Sequence, residues 1–221
     1  MERHIHQIWI GPYVLPDQEK ACVRRMREVN PSVTHMLWTD DNLPDMPPNV
    51  REVFDAYATM GPTGLALQAD ILRILVVARF GGFYFDVDFE PRHEVPLSYF
   101  EHDYVFFRHA KTREDLTIPN GLFGGAAGSP IFEHLCASMN KASGEFWYGP
   151  SGFGQHIKAA MGLPYEVDAD VVETELAKRN GVFPYYWPFC DAHAVHTGLA
   201  SWQPDSRMAY TPRVNRDPLA P

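Results

Sequence analysis

Asp86 and Asp88 stand one residue apart in Phe83-Tyr84-Phe85-Asp86-Val87-Asp88-Phe89, a run otherwise apolar and aromatic. Read as a strand, it has a period of 2, so the two carboxylates share one side, and Phe83, Phe85, Val87 and Phe89 take the other. Acids at the end of such a strand are costly if buried unpaired. They are readily kept where a divalent cation lies between them and a phosphate. Hard oxygen donors with an open coordination sphere suit magnesium or manganese. Upstream, Asp70 and Arg73 are spaced i, i+3 on a predicted helix over residues 65–79 and share a face. Set amid Leu65, Ile71, Leu72 and Leu75, this pair is expected to face something polar. The other reading is an ordinary helical ion pair, which contributes little.

Trp9 directly follows His6-Gln7-Ile8. An aromatic ring there is placed to stack on a nucleobase, with backbone groups of Ile8 and Ile10 reading the base edge; the alternative is a core tryptophan. Asn120 and the Gly149-Pro150-Ser151 loop read as pocket walls, since glycines allow close backbone approach. Ordinary turns are the other reading. The chain has no Gly-x-Ser-x-Gly elbow, phosphate loop, His-Glu-x-x-His pair or dinucleotide glycine triplet. Asp86 and Asp88 are too close together to straddle a sugar ring as a glycosidase pair does.

The elements that must position these residues follow from periodicity and punctuation. Residues 3–10 read as a strand, 17–29 as a helix with Asp17 in its first turn, and 34–38 as a second strand, together a βαβ unit. Asn30-Pro31 stops the helix. A short helix is expected over 50–59, and Gly61-Pro62-Thr63-Gly64 as a break before the main helix. Further on, 103–108 and 122–126 read as strands, and 130–141 and 151–161 as helices, Pro130 suiting a first turn. The alternation predicts an α/β fold with a parallel-rich sheet covered on both faces. One domain is expected over 1–205, followed by an extended tail over 206–221.

A chain of 221 residues, 45% hydrophobic, can bury a real core. Its net charge of -9 argues against a nucleic-acid partner, which would need a basic face. Cys22, Cys136 and Cys190 are far apart, odd in number and without zinc spacing, which fits a reduced, cytoplasmic compartment. No signal peptide is expected, because the first strand begins almost at residue 1. The most apolar stretch, 71–80, is interrupted by Arg73 and Arg79 and falls short of the roughly 20 residues a membrane span needs.

The run Ala69-Asp70-x-x-Arg73, then Gly81-Gly82-x-Tyr84-x-Asp86-x-Asp88, resembles the glycosyltransferases that carry a sugar-binding region containing a DXD motif. These include relatives of the initiating α-mannosyltransferase and, more distantly, the glucosylating domains of large clostridial toxins. Ile5-His6-Gln7-Ile8-Trp9-Ile10-Gly11 resembles the family's first strand. Asn120-Gly121, Tyr148-Gly149-Pro150-Ser151, and His196 with Ser201-Trp202 agree, so the resemblance spans about residues 4 to 202.

The resemblance implies a single domain of the GT-A type, with a Rossmann-like, mixed but mostly parallel sheet flanked by helices. It implies a metal-dependent, retaining hexosyltransferase using manganese or magnesium. The donor is a nucleoside diphosphate sugar, UDP-sugar before GDP-mannose, and the acceptor a hydroxyl of a glycan or small molecule. In such enzymes the matching acid and arginine hold the donor's sugar and ribose hydroxyls, roles carried here to Asp70 and Arg73. Asp88 becomes the direct metal ligand, and Asp86 reaches the metal or the ribose. Tyr84 joins the nucleotide contacts and Asn120 the catalytic set. His196, with His193 as rival, completes the metal shell, and Ser201 and Trp202 fall on the cofactor side, the tryptophan against phosphate. Two alternatives stay open: a nucleotide-sugar-binding module without turnover, and a toxin-like effector that glycosylates a protein.

Overall fold

The structure, a computed structural model, describes residues 1–110, 116–140, 148–184 and 194–196. The predicted βαβ unit is present as β1 (His4–Ile8), α1 (Asp17–Val29) and β2 (Thr34–Trp38). β1 and β2 pair in parallel, with His4 opposite Thr34 and Ile8 opposite Trp38. Two helices follow, α2 (Pro48–Tyr57) and α3 (Gly61–Phe80), and then β3 (Gly82–Phe85). β4 (Phe89–Pro91) and a 3-10 turn at Leu97–Glu101 lead to β5 (Tyr104–Phe106). Beyond the small hairpin of β6 (His109–Ala110) and β7 (Leu116–Thr117) lie β8 (Leu122–Gly125), α4 (Pro130–Ser138), α5 (Pro150–Ala160) and α6 (Ala169–Ala177). The last two described strands are β9 (Gly181–Val182) and β10 (Ala194–His196).

Six strands form the main sheet in the order β2-β1-β3-β8-β5-β9. The β1–β2, β1–β3 and β5–β9 pairs are parallel; β8 runs antiparallel to both of its neighbours. The expected α/β sheet, mixed but mostly parallel, is therefore observed. Because β8 alone is reversed, its beginning lies at the same edge as the ends of β1, β3 and β5. Asn120 and Gly121, just before β8, are thus delivered to the edge where Asp86 leaves β3.

Each face of the sheet has its own core. Tyr84, Tyr104, Phe106 and Phe123 pack on one face with α3 and α4 residues such as Ile71, Leu75 and Phe132. Ile5, Phe83, Phe85, Val105 and Phe107 pack on the other with Met26 of α1. Strand alternation alone produces this division. α3 is apolar nearly all round, with Leu67, Ile71, Leu72, Ile74, Leu75, Val76 and Val77 buried, because sheet and helices cover it from both sides. No helix among the described residues is long and apolar enough to cross a membrane.

Two expectations are corrected. Gly61-Pro62-Thr63-Gly64 is the first turn of α3, not a break before it. Proline fits a first turn because the N–H it lacks would be unpaired there anyway. The strand carrying the acids ends at Phe85, and Asp86–Asp88 form a turn in which the Phe89 N–H donates to the Asp86 carbonyl at 3.2 Å. Alternation therefore carries Tyr84 to the α3 face but does not extend to Asp88. α6, β4, β9 and β10 had no sequence signal: the strands have two or three residues, and α6 buries only Val172 and Leu176.

The joint between α3 and β3 explains the glycine pair. Gly81 and Gly82 have φ of 64° and 97°, a region L side chains avoid. A Cβ on Gly82 would lie 2.4 Å from the His4 carbonyl oxygen. His6 fastens the same joint: its Nε2–H donates to the Gly81 carbonyl at 2.8 Å, while Nδ1 accepts from the Trp38 indole at 3.1 Å. Burial lowers the His6 pKa to about 4, so the ring is neutral and the tautomer follows from its partners.

Candidate active site

A tight α3–β3 joint has a metric consequence. A helix rises about 1.5 Å per residue and a strand about 3.3 Å. Stepping back from Gly81 along α3, Arg73 comes level with the span between Tyr84 and Asp86 on the returning strand. Side chains of a helix lean toward its N-terminus, which brings the guanidinium to the end of β3.

There Arg73 is the hub of a buried network. Its Nη2 lies 3.2 Å from Asp70 Oδ1 and 3.3 Å from Asp86 Oδ1. Nη1 donates to the Asn120 carbonyl at 3.0 Å and Nε to the Ala69 carbonyl at 3.3 Å. The guanidinium also stacks over the Tyr84 ring, 4.8 Å from its centroid. The Tyr84 hydroxyl donates to Asp86 Oδ1 at 2.5 Å, and the Asn120 side-chain amide donates to Asp70 Oδ1 at 2.8 Å. Asp86 is further held by its own N–H, which donates to the Gly121 carbonyl.

Asp70 and Arg73 are only 7% and 8% exposed, so their electrostatics are those of an interior. Burial raises the Asp70 pKa to about 6; Arg73 and the Asn120 bond pull it down, and Asp86 pushes it up. Burial disfavours the Arg73 charge, but Asp86, Asp70 and Asp88 outweigh it and hold the guanidinium ionised. Tyr84 is pushed above its ordinary value, chiefly by burial, and serves as a neutral donor. One cation thus answers three acids, and the site retains negative charge.

Asp86 and Asp88 are both half-buried, on either side of the buried Val87. Asp86 turns to α3, while the charge of Asp88 acts on Glu19 and Cys22 of α1. β10 pairs antiparallel with β4, so the backbone of His196 lies opposite Phe89, the residue after Asp88. No three His, Cys, Asp or Glu side chains among the described residues form a ready cage for an ion. A pair of hard carboxylates that leaves most positions to phosphate oxygens and water is the donor set magnesium and manganese take in nucleotide sites. The residues present therefore fit such a cation, with Asp88 and Asp86 to hold it.

On the nucleotide side, Ile8 and Ile10 are buried and offer only backbone. Trp9 is half-buried; its N–H donates to the Trp38 carbonyl at 2.8 Å and its indole to the Tyr13 carbonyl at 2.9 Å. Its ring borders Leu15, Val23 and Val87, next to the acidic turn. The structure thus brings together Asp70, Arg73, Tyr84, Asp86 and Asn120, with Trp9 and Asp88 along the same edge. His193, Ser201, Trp202 and the tail at 206–221 lie outside the described residues.

Sequence reasoning missed Glu19, which is fully buried on α1. A signal existed: Glu19, Cys22, Val23 and Met26 follow the spacing of a helix's buried face. It also missed Gly121, whose part is a backbone carbonyl that no side-chain pattern announces.

Comparison with known proteins bears on the motif region and on the fold. Residues 16–106 match the family described as the glycosyltransferase sugar-binding region containing a DXD motif. Inositol phosphoceramide mannosyltransferase 2 of Schizosaccharomyces pombe is 27% identical over 148 residues, 65% of this chain. The match spans 39% of the length of that yeast protein. Among solved structures, the PaToxG glycosyltransferase superposes with a TM-score of 0.56 at 15% identity, covering 81% of this chain and 85% of that one. The ligand-free glycosyltransferase domain of the YGT toxin gives 0.50 at 11% identity, with 90% and 82% covered. These two likenesses are of fold.

Proposed function

We propose, for a chain that carries the DXD-containing sugar-binding region of glycosyltransferases, that it moves one hexose from a nucleoside diphosphate sugar to an acceptor hydroxyl. The observation that carries this reading is the buried Asp70–Arg73–Asp86–Asn120 network at the end of β3, beside Asp88. A structural ion pair would not need three acids around one arginine. A pocket for sugar and ribose hydroxyls does, because each hydroxyl both donates and accepts.

Both contacts of the Asp70 carboxylate fall on Oδ1. Oδ2 is then the oxygen that accepts from a donor-sugar hydroxyl. Arg73 and Asn120 hold that carboxylate in place, so little reorganisation accompanies binding. Asp86, held by Tyr84, Arg73 and Gly121, faces the ribose side, and Trp9 borders the base. A divalent cation held by Asp88 and Asp86 would neutralise charge on the departing diphosphate. The acceptor oxygen bonds to the anomeric carbon as the carbon–phosphate-oxygen bond breaks. The electron pair stays with the diphosphate, and the acceptor's proton passes to it. No side chain in the network is placed as a free nucleophile, which favours this front-face path with retention.

UDP-sugar is the preferred donor. A mannosyl donor such as GDP-mannose is the second reading, supported by the mannosyltransferase among the relatives. The test is a donor panel with manganese, reading nucleoside diphosphate release and the mass added to a glycan acceptor. Release with transfer from one donor supports the reading. Tight binding of the same donors with neither release nor transfer, in manganese or magnesium, leaves a binding module instead.

A further inference from the structure

Glu19 is an acid the network above does not use. It stands in the first turn of α1 with no exposed surface, and neither carboxyl oxygen has a hydrogen-bond partner beyond its own backbone N–H. Its spacing to Cys22, Val23 and Met26 puts it on the face of α1 that covers the sheet. Met26 packs with Ile5 and Phe83 near the beginnings of β1 and β3, and Val23 packs with Val87 in the acidic turn. Glu19, a helical turn before Val23, continues that line toward the strand ends. Burial raises the Glu19 pKa and the charge of Asp88 raises it further; burial likewise raises the Cys22 thiol, with Glu90, Asp88 and Glu19 adding to it. α1 packs along β4, the strand that leaves the turn.

A buried carboxyl group whose oxygens meet no other residue is costly, and a second carboxylate beside it adds to the cost. Positive charge at Asp88 would relieve both. No cage of three ligands exists among the described residues, so Glu19 is not placed as a ligand itself. We propose that Glu19 is a positioning residue for the cation at the Asp86–Asp88 turn, adding a third negative charge from beneath Asp88 and so strengthening cation binding. The inference rests on the metal-dependent transfer proposed above. The competing role is structural. Gln7 lies on the α1-covered face by alternation with Ile5, and its buried amide nitrogen has no partner. A Glu19–Gln7 hydrogen bond would satisfy both groups without any cation.

The experiment measures manganese binding to the full chain by electron paramagnetic resonance, with and without UDP, alongside thermal unfolding in EDTA. Glu19→Gln should weaken manganese by about 10- to 100-fold, the usual range when a group behind a ligand is lost. Its melting temperature in EDTA should not fall, and its kcat at saturating manganese should stay near wild type. Glu19→Asp, which keeps the charge, should bind manganese more tightly than Glu19→Gln, and Gln7→Met should bind it as wild type does. Equal affinity in wild type and Glu19→Gln overturns the inference. So does a matching loss in Gln7→Met, which would assign the pair to structure. If wild type itself binds no manganese, the metal reading of the site fails, a different result from wild type and Glu19→Gln binding it alike.

Discussion

Arg73 Nη2 lies 3.3 Å from Asp86 Oδ1, joining a residue in the middle of α3 to the first residue past β3. The same nitrogen reaches Asp70 at 3.2 Å, so one guanidinium answers an acid from the helix and one from the strand. Removing it leaves two acids close together in an interior. Arg73→Ala should therefore destabilise the fold by about 3–5 kcal/mol, measured by urea unfolding. Arg73→Lys should retain more stability yet lose donor binding, because lysine cannot reproduce the fork to Asp70, Asp86 and the Asn120 carbonyl. Unchanged stability in Arg73→Ala would show that the pair is not buried in solution.

Asp70 sets a pH dependence. Its pKa in the folded chain is raised, chiefly by burial, from 3.8 to about 6. Between these values the folded state holds more protons than the unfolded one, so this group's contribution falls as pH rises through the window. It is fully present below 3.8 and lost above about 6. Under the proposed function the activity runs the opposite way, since the ionised carboxylate would accept from sugar hydroxyls. Donor kcat/KM should rise through about pH 6, and Asp70→Asn should lose both that inflection and the stability slope. Asp70→Asn should also harm sugar-nucleotide turnover far more than binding of free UDP. An equal loss for both ligands would move Asp70 to the nucleotide or to a structural role.

Asp88 separates cation from fold. It is half-buried in the turn beside the Arg73 network. Asp88→Asn should keep the melting temperature while abolishing manganese-dependent turnover, a loss of about 3 kcal/mol or more in transition-state stabilisation. Asp86→Asn should cost stability as well, because Tyr84, Arg73 and Gly121 all close on Asp86. Full activity of Asp88→Asn, or of wild type in EDTA, would remove the metal from the mechanism.

Trp9 is half-buried, with its indole N–H donating to the Tyr13 carbonyl and its ring beside Val87 of the acidic turn. Trp9→Ala should weaken UDP binding by about 1–3 kcal/mol with a small change in melting temperature. Calorimetry on the folded variant decides. Large destabilisation with unchanged affinity would make Trp9 a core residue.

Gly82→Ala should destabilise by about 1–3 kcal/mol through backbone strain alone, and by more once its Cβ presses on the His4 carbonyl. Chemical denaturation measures it. A neutral outcome would mean that the α3–β3 joint relaxes, and the level placement of Arg73 with Asp86 would lose its cause.

Much of the frame is local and is written in residue order. The βαβ unit was legible because strand and helix periodicities differ and Asn30-Pro31 punctuates them. Asp70 and Arg73 were legible as partners because i, i+3 spacing on a helix is a local fact. The Gly81-Gly82 pair was legible as a turn because glycine is the residue that accepts its backbone angles.

How these parts meet depends on the packing of the sheet. Asn120 is 50 positions from Asp70, and its amide reaches that carboxylate only because reversed β8 lies between β3 and β5. Alternation predicted a common side for Asp86 and Asp88, but pairing of β3 stops at Phe85, and beyond it Asp86 pairs with Arg73 of α3 while the charge of Asp88 acts on both Arg73 and Glu19 of α1. Glu19 drew no reading from the sequence, yet it is buried because α1 lies on Val87 and β4. The backbone of His196 reaches Phe89 through a three-residue strand too short to leave a pattern. Periodicity reports on neighbours within a few residues; contacts across the sheet depend on strand order and on where each strand's pairing ends, which are properties of the packed whole.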